Sequence, residues 1–183
     1  NITGYKLDHV EGLPLTITEN EGTNIIKVYY VKDNFNYTVE YYYDGTKDNE
    51  KTETIQATYQ DVISTYTDKN ITGYKLDHVD GLPLTVTENE ETNVIKVHYV
   101  KDNFNYTVEY YYDGVKDNDK TETTQATYQD EITTYTDKNI EGYRLQKVEG
   151  IPLTITENEG TYIIKVYYIV DESNKKDINY TVE

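Results

Sequence analysis

The sequence predicts a β-rich α+β fold built from small repeated modules, and three observations lead there. The first is internal repetition. Asn1-Ile2-Thr3-Gly4-Tyr5-Lys6-Leu7 returns as Asn70-Ile71-Thr72-Gly73-Tyr74-Lys75-Leu76 and again as Asn139-Ile140-Glu141-Gly142-Tyr143-Arg144-Leu145, at an offset of 69 residues each time. Residues 1–69 and 70–138 differ at only ten positions, so the array is a recent tandem copy. The second observation is strict alternation in Tyr37, Val39, Tyr41 and Tyr43 against Thr38, Glu40 and Tyr42, the period of a strand with one face inward. The third is a single stretch at helical spacing, lying between strands.

The repeat frame places 1–35 as the C-terminal half of a preceding repeat. Residues 36–104 and 105–172 are complete modules, and 173–183 are a linker with the first strand of a following repeat. Tyr106 to Tyr180 spans 74 residues where Tyr37 to Tyr106 spans 69, and the extra residues lie around Ser173-Asn174-Lys175-Lys176.

Within the module beginning at Tyr37, the opening strand runs to an Asp44-Gly45 turn, and Lys51 to Ile55 returns as a hairpin partner. Tyr59, Val62, Ile63 and Tyr66 then fall at i, i+3, i+4 and i+7, one face of a short helix, although Thr58, Thr65 and Thr67 are poor helix formers. Tyr74 to Val79 reads as a strand, and Leu84 to Thr87 with Val94 to Val100 as a last hairpin. Two strands, a helix and three strands make a mixed sheet covered on one face, of β-grasp type. Such modules, joined end to end, predict an elongated rod.

Composition excludes several function classes. Seventeen Lys and Arg against 34 Asp and Glu leave a net charge of −17, which repels nucleic acid and anionic lipid. No apolar run approaches the roughly 20 residues needed to span a bilayer, so no membrane insertion is expected. Without cysteine there is no disulfide, thiol nucleophile or Cys-based metal site. The chain is read as no enzyme and as needing no cofactor. His9 and His78 are equivalent but Lys147 stands in the third copy, while His98 replaces Tyr29 and Tyr167. A general base needs a defined partner geometry, which such exchanges do not keep.

Two kinds of binding residue stand out. Asp44 and Asp48, repeated as Asp113 and Asp117, place hard oxygen ligands in a turn, but the spacing is not that of an EF-hand and Lys47 intervenes, so a solvated hairpin is the plainer account. Alternation sends Tyr42 and Tyr111 to the face opposite their neighbours, beside Glu40 and Glu109. An outward tyrosine beside a carboxylate suits a sugar or a partner protein, and equally suits cross-strand packing in a chain with 22 Tyr, two Phe and no Trp. The Asn-x-Thr triplets at Asn1, Asn36, Asn70, Asn105 and Asn179 would be glycosylation acceptors in a eukaryotic secreted protein.

The run from Tyr37-Thr38-Val39-Glu40-Tyr41 through Gly73-Tyr74-Lys75-Leu76-Asp77-His78-Val79-Asp80-Gly81 to Val97-His98-Tyr99 resembles the mucin-binding-protein (MucBP) repeat family. The resemblance implies a ubiquitin-like module on wall-anchored adhesins of Gram-positive bacteria, hence an extracellular cell-surface location. It also implies host mucin glycans or an extracellular protein as weak, multivalent partners. A passive stalk with no ligand of its own is the alternative. So is strand exchange, in which Asn179 to Glu183 of one chain completes residues 1–35 of another.

Overall fold

Alternating Tyr, Val and Thr favour the extended backbone, and strands dominate the result. The computed structural model describes residues 2–69, 71–138, 140–157 and 159–174. The strands are β1 (Tyr5–Glu11), β2 (Lys27–Lys32), β3 (Asn34–Tyr43), β4 (Thr46–Thr58), β5 (Val62–Ile63), β6 (Tyr74–Asp80), β7 (Leu84–Thr85) and β8 (Val94–Lys101). The second set is β9 (Asn103–Tyr112), β10 (Val115–Thr127), β11 (Glu131–Ile132), β12 (Tyr143–Glu149), β13 (Leu153–Thr154) and β14 (Ile163–Val170). By contacts the chain divides into two units, Asn1–Asn70 with Lys75–Val100, and Ile71–Tyr74 with Lys101–Glu183.

In the first unit a four-stranded sheet has the order β4-β3-β8-β6, with β3 and β8 parallel at its centre and β4 antiparallel to β3. The second unit repeats it as β10-β9-β14-β12. The Asp44-Gly45 and Asp113-Gly114 turns hold both residues at positive φ, which is why an Asp-Gly pair closes each hairpin. The inward residues of the sheet form the core: Val39, Tyr41, Ile95, Val97 and Tyr99 in the first unit, and Val108, Tyr110, Ile164, Val166 and Tyr168 in the second.

The fold class differs from the α+β expectation. Among the described residues no α-helix occurs, only 3-10 turns such as Glu21–Thr23 and Glu90–Thr92. The tandem β-grasp modules that the sequence predicts are replaced by two all-β units. The expected helix around Tyr59 to Tyr66 is an extended strap. Gln60 takes a left-handed φ of 67°, Val62–Ile63 pairs with β7, and residues 64–69 run on without regular structure. The expected hairpin of Leu84 to Thr87 with Val94 to Val100 is also absent, because β7 pairs with β5 while β8 lies between β3 and β6.

The strap's physical cause lies in the core tyrosines. A helix would have satisfied its own backbone; an extended strap needs partners supplied to it. Tyr41 OH donates to the Thr67 carbonyl (2.6 Å) and Tyr43 OH to the Lys69 carbonyl (3.1 Å). The Lys69 amide donates to Tyr99 OH (3.2 Å), and that hydroxyl donates to Asp68. In the second unit Tyr110, Tyr112 and Tyr168 make the same bonds to Thr136, Lys138 and Asp137. The helical spacing in the sequence has another origin. Ile132 and Tyr135, the counterparts of Ile63 and Tyr66, pack against the core from the strap, whereas Val62 is exposed.

Tyr59 has a separate duty: its ring lies where a Cβ on Gly4 would stand, edge-on to Tyr5 (6.1 Å) and Phe35 (6.0 Å). Tyr128 does the same at Gly73, which sits at φ +79°. Only glycine fits a position that combines positive φ with an aromatic ring against the α-carbon.

Strands β1 and β2 form a two-stranded ladder, with Leu7, Val28 and Tyr30 exposed. The counterparts of Val28 and Tyr30, Val97 and Tyr99, are buried because β3 lies beside β8. The strand expected at Asn179 to Glu183 lies outside the described residues.

Replacing Tyr110 by Phe keeps the ring but leaves the Thr136 carbonyl without its donor. Urea denaturation is expected to show a loss of about 0.5–1.5 kcal/mol, the usual net worth of one hydrogen bond where the freed carbonyl can reach water.

Candidate binding face

Strand alternation that buries Val39 and Tyr41 turns Glu40 and Tyr42 to the opposite face of the sheet. There the sequence-predicted pair is brought together: Tyr42 OH donates to Glu40 Oε2 (2.7 Å), while Lys47 of β4 donates from Nζ to Glu40 Oε1. The second unit builds the same group from Glu109, Tyr111 (2.8 Å) and Lys116.

The electrostatics follow from these bonds. Burial pushes the Glu40 carboxyl up, but its hydrogen bonds to Lys47 and Tyr42 together outweigh that and hold it below the ordinary carboxylate range. For Glu109 the Lys116 hydrogen bond is the largest single effect, and the carboxyl again lies low. The phenol of Tyr111 is pushed up to about 12, first by its bond to Glu109 and then by burial. Both carboxylates are therefore ionised at neutral pH, and both tyrosines keep their protons.

Aromatic rings extend each face sideways across neighbouring strands. Tyr42 stacks on His98 (4.8 Å, 15°), and His98 stacks on His78 of β6 (4.3 Å, 8°). In the second unit Tyr111 stacks on Tyr167 (4.9 Å), and Lys147 Nζ lies 4.7 Å over the Tyr167 ring while pairing with Glu149 (2.6 Å). On the β1–β2 ladder His9 stacks on Tyr29 (4.3 Å), and Tyr29 OH donates to Glu11 (3.1 Å). The aromatic row runs across strands, a cross-strand arrangement that linear reading does not show.

The acidic turn residues stand elsewhere. Asp48 Oδ1 accepts from the Glu50 and Lys51 amides (3.0 and 3.1 Å), and Oδ2 pairs with Lys51 Nζ (2.8 Å). This carboxylate stabilises the irregularity where β4 shifts register against β3, and Asp117 repeats it. Asp44 and Asp113 occupy the exposed turn itself, Asp113 accepting from the Val170 amide (3.1 Å). The donor cluster that sequence reasoning passed over is His78, Asp80 and His98, whose ligand atoms lie within 4.8 Å of one another. The signal was available: two of the ten differences between copies, Glu11 to Asp80 and Tyr29 to His98, fall on this one spot.

No protein-family model matches the sequence, and no match was found among curated proteins. Among solved structures, the crystal structure of Mub-RV is similar at 14% identity and a TM-score of 0.29, over 74% of this chain and 98% of that one. At so low a score the likeness carries no argument, and the MucBP resemblance rests on its motifs alone.

The sign of the pH dependence follows from the lowered carboxyls. Their stabilising contribution is complete above the ordinary carboxylate range of about 4–4.5 and is lost as pH falls through the lower folded values. Glu109→Gln is therefore expected to melt below the parent protein at pH 7. The gap should close as pH falls through and below the lowered Glu109 value, as read by thermal denaturation across an acid pH series.

Proposed function

We propose that the chain is the repeat region of a bacterial cell-surface adhesin whose outward sheet faces bind host mucin glycans weakly and gain strength by repetition. The observation that carries this reading is the recurrence of one polar-aromatic group in both complete repeats, Glu40-Tyr42-Lys47 and Glu109-Tyr111-Lys116. Each group offers a ring edge, an ionised acceptor and an ammonium donor, the inventory that sugar hydroxyls require. Nothing in it is arranged for bond breaking: the carboxylates lie low, each held by a lysine, and no unpaired base stands beside a nucleophile.

Repetition supplies the rest. Near-identical sites on one chain convert weak single contacts into avidity, with a gain of about 10²–10⁴ where geometry allows simultaneous engagement. The motif resemblance supports mucin as the glycan source and the cell surface as the location.

The test is binding of the intact chain to immobilised mucin and to a glycan array, with Tyr42→Ala, Tyr111→Ala and the double variant. Retained binding is expected to fall by about 10²-fold in either single variant and to vanish in the double variant. Unchanged binding in the double variant would remove this face from the account. No binding by the parent chain at high surface density would leave the passive stalk.

A further inference from the structure

We propose that His78, His98 and Asp80 form a site for one divalent transition-metal ion of the Zn²⁺, Ni²⁺ or Cu²⁺ class, present in this copy of the repeat and not in the other two. His78 Nδ1 lies 2.7 Å from Asp77 Oδ2. An ionised carboxylate only accepts, so Nδ1 of the neutral imidazole carries the hydrogen and Nε2 is left with its lone pair. A carboxylate behind a histidine in this way is the usual outer support of a metal-binding imidazole. That Nε2 stands 3.6 Å from Asp80 Oδ2.

His98 presents its own Nε2 to the same oxygen at 3.5 Å, and this nitrogen is buried without a hydrogen-bond partner among the described residues. A buried polar atom left unpaired is costly and calls for an explanation. The stack on Tyr42 fixes the His98 ring from one side and His78 covers the other. Two nitrogens and an oxygen thus face one small volume. His78 and Asp80 are both exposed, so side-chain adjustment can draw the donors in to the roughly 2.0–2.2 Å bonds a metal demands. Imidazole donors select borderline metals over Ca²⁺ and Mg²⁺, which take oxygen. Three protein ligands leave a fourth position for water or for a donor from a partner.

The other copies show what this site replaced. At the corresponding positions the first has His9, Glu11 and Tyr29, with the tyrosine hydroxyl bonded to the carboxylate. The third has Lys147, Glu149 and Tyr167, so an ammonium is built in beside the carboxylate. A cation there has precedent within the chain itself, and only the middle copy leaves the place to be filled from solution.

The experiment is calorimetric titration of the intact chain with Zn²⁺, alongside histidine ring NMR. One ion per chain is expected, with the His78 and His98 resonances shifting and those of His9 unmoved. His98→Tyr restores the residue of the other two copies and so keeps the fold, which far-ultraviolet circular dichroism checks. It is expected to weaken Zn²⁺ by at least the ~10-fold that loss of a mere outer partner costs. Equal Zn²⁺ affinity in His98→Tyr, equal shifts at His9, or no binding at all would overturn the proposal.

Discussion

The fold depends on a line of tyrosine hydroxyls that reach from the sheet to the chain crossing above it. In each unit three core rings end in oxygens bonded to the backbone or the aspartate of the strap. A core of Phe would bury as much apolar area but would withdraw the donors that tie those carbonyls to the sheet. That requirement accounts for six of the 22 Tyr, namely Tyr41, Tyr43, Tyr99, Tyr110, Tyr112 and Tyr168. Burial completes the arrangement by pushing the Tyr41 phenol up to about 12, so the donor keeps its proton at any physiological pH.

One strand serves both the core and the proposed binding face. The inward residues of β3, Val39 and Tyr41, build the core, while Glu40 and Tyr42 between them build the outward face. A register slip of one residue would exchange the two sets, so the core that fixes the register also fixes which residues face outward. Lys47 reaches Glu40 because the short Asp44-Gly45 turn sets β4 directly beside β3. Variation between copies is then tolerated at the sheet's far strand, where His78 becomes Lys147 without disturbing the core.

Local pattern made much of this legible in the sequence. The opening strand, the Asp-Gly turns, the strand after Gly73 and the outward direction of Tyr42 and Tyr111 all follow from period-two alternation and turn chemistry. The helix was misread because Ile63 and Tyr66 are core-facing at a spacing that an extended strap also produces when long side chains reach inward. The tyrosine hydroxyls that decide between the two lie 26 to 31 residues away in sequence. The stacking of His78 on His98 was hidden for the same reason, since pairing between β6 and β8 is a tertiary fact. Exchange of histidine for lysine or tyrosine between copies argued against a shared catalytic role; it did not argue against a role peculiar to one copy.

The central claim is that these hydroxyls hold the strap extended, and amide hydrogen exchange at Lys69 and Lys138 in a Tyr99→Phe, Tyr168→Phe double variant tests it most directly. The account predicts that both amides lose their protection while those of the central strands, such as Val97 and Val166, keep theirs. Unchanged protection at Lys69 and Lys138, or a gain of helical signal in the parent protein's circular dichroism, would contradict it.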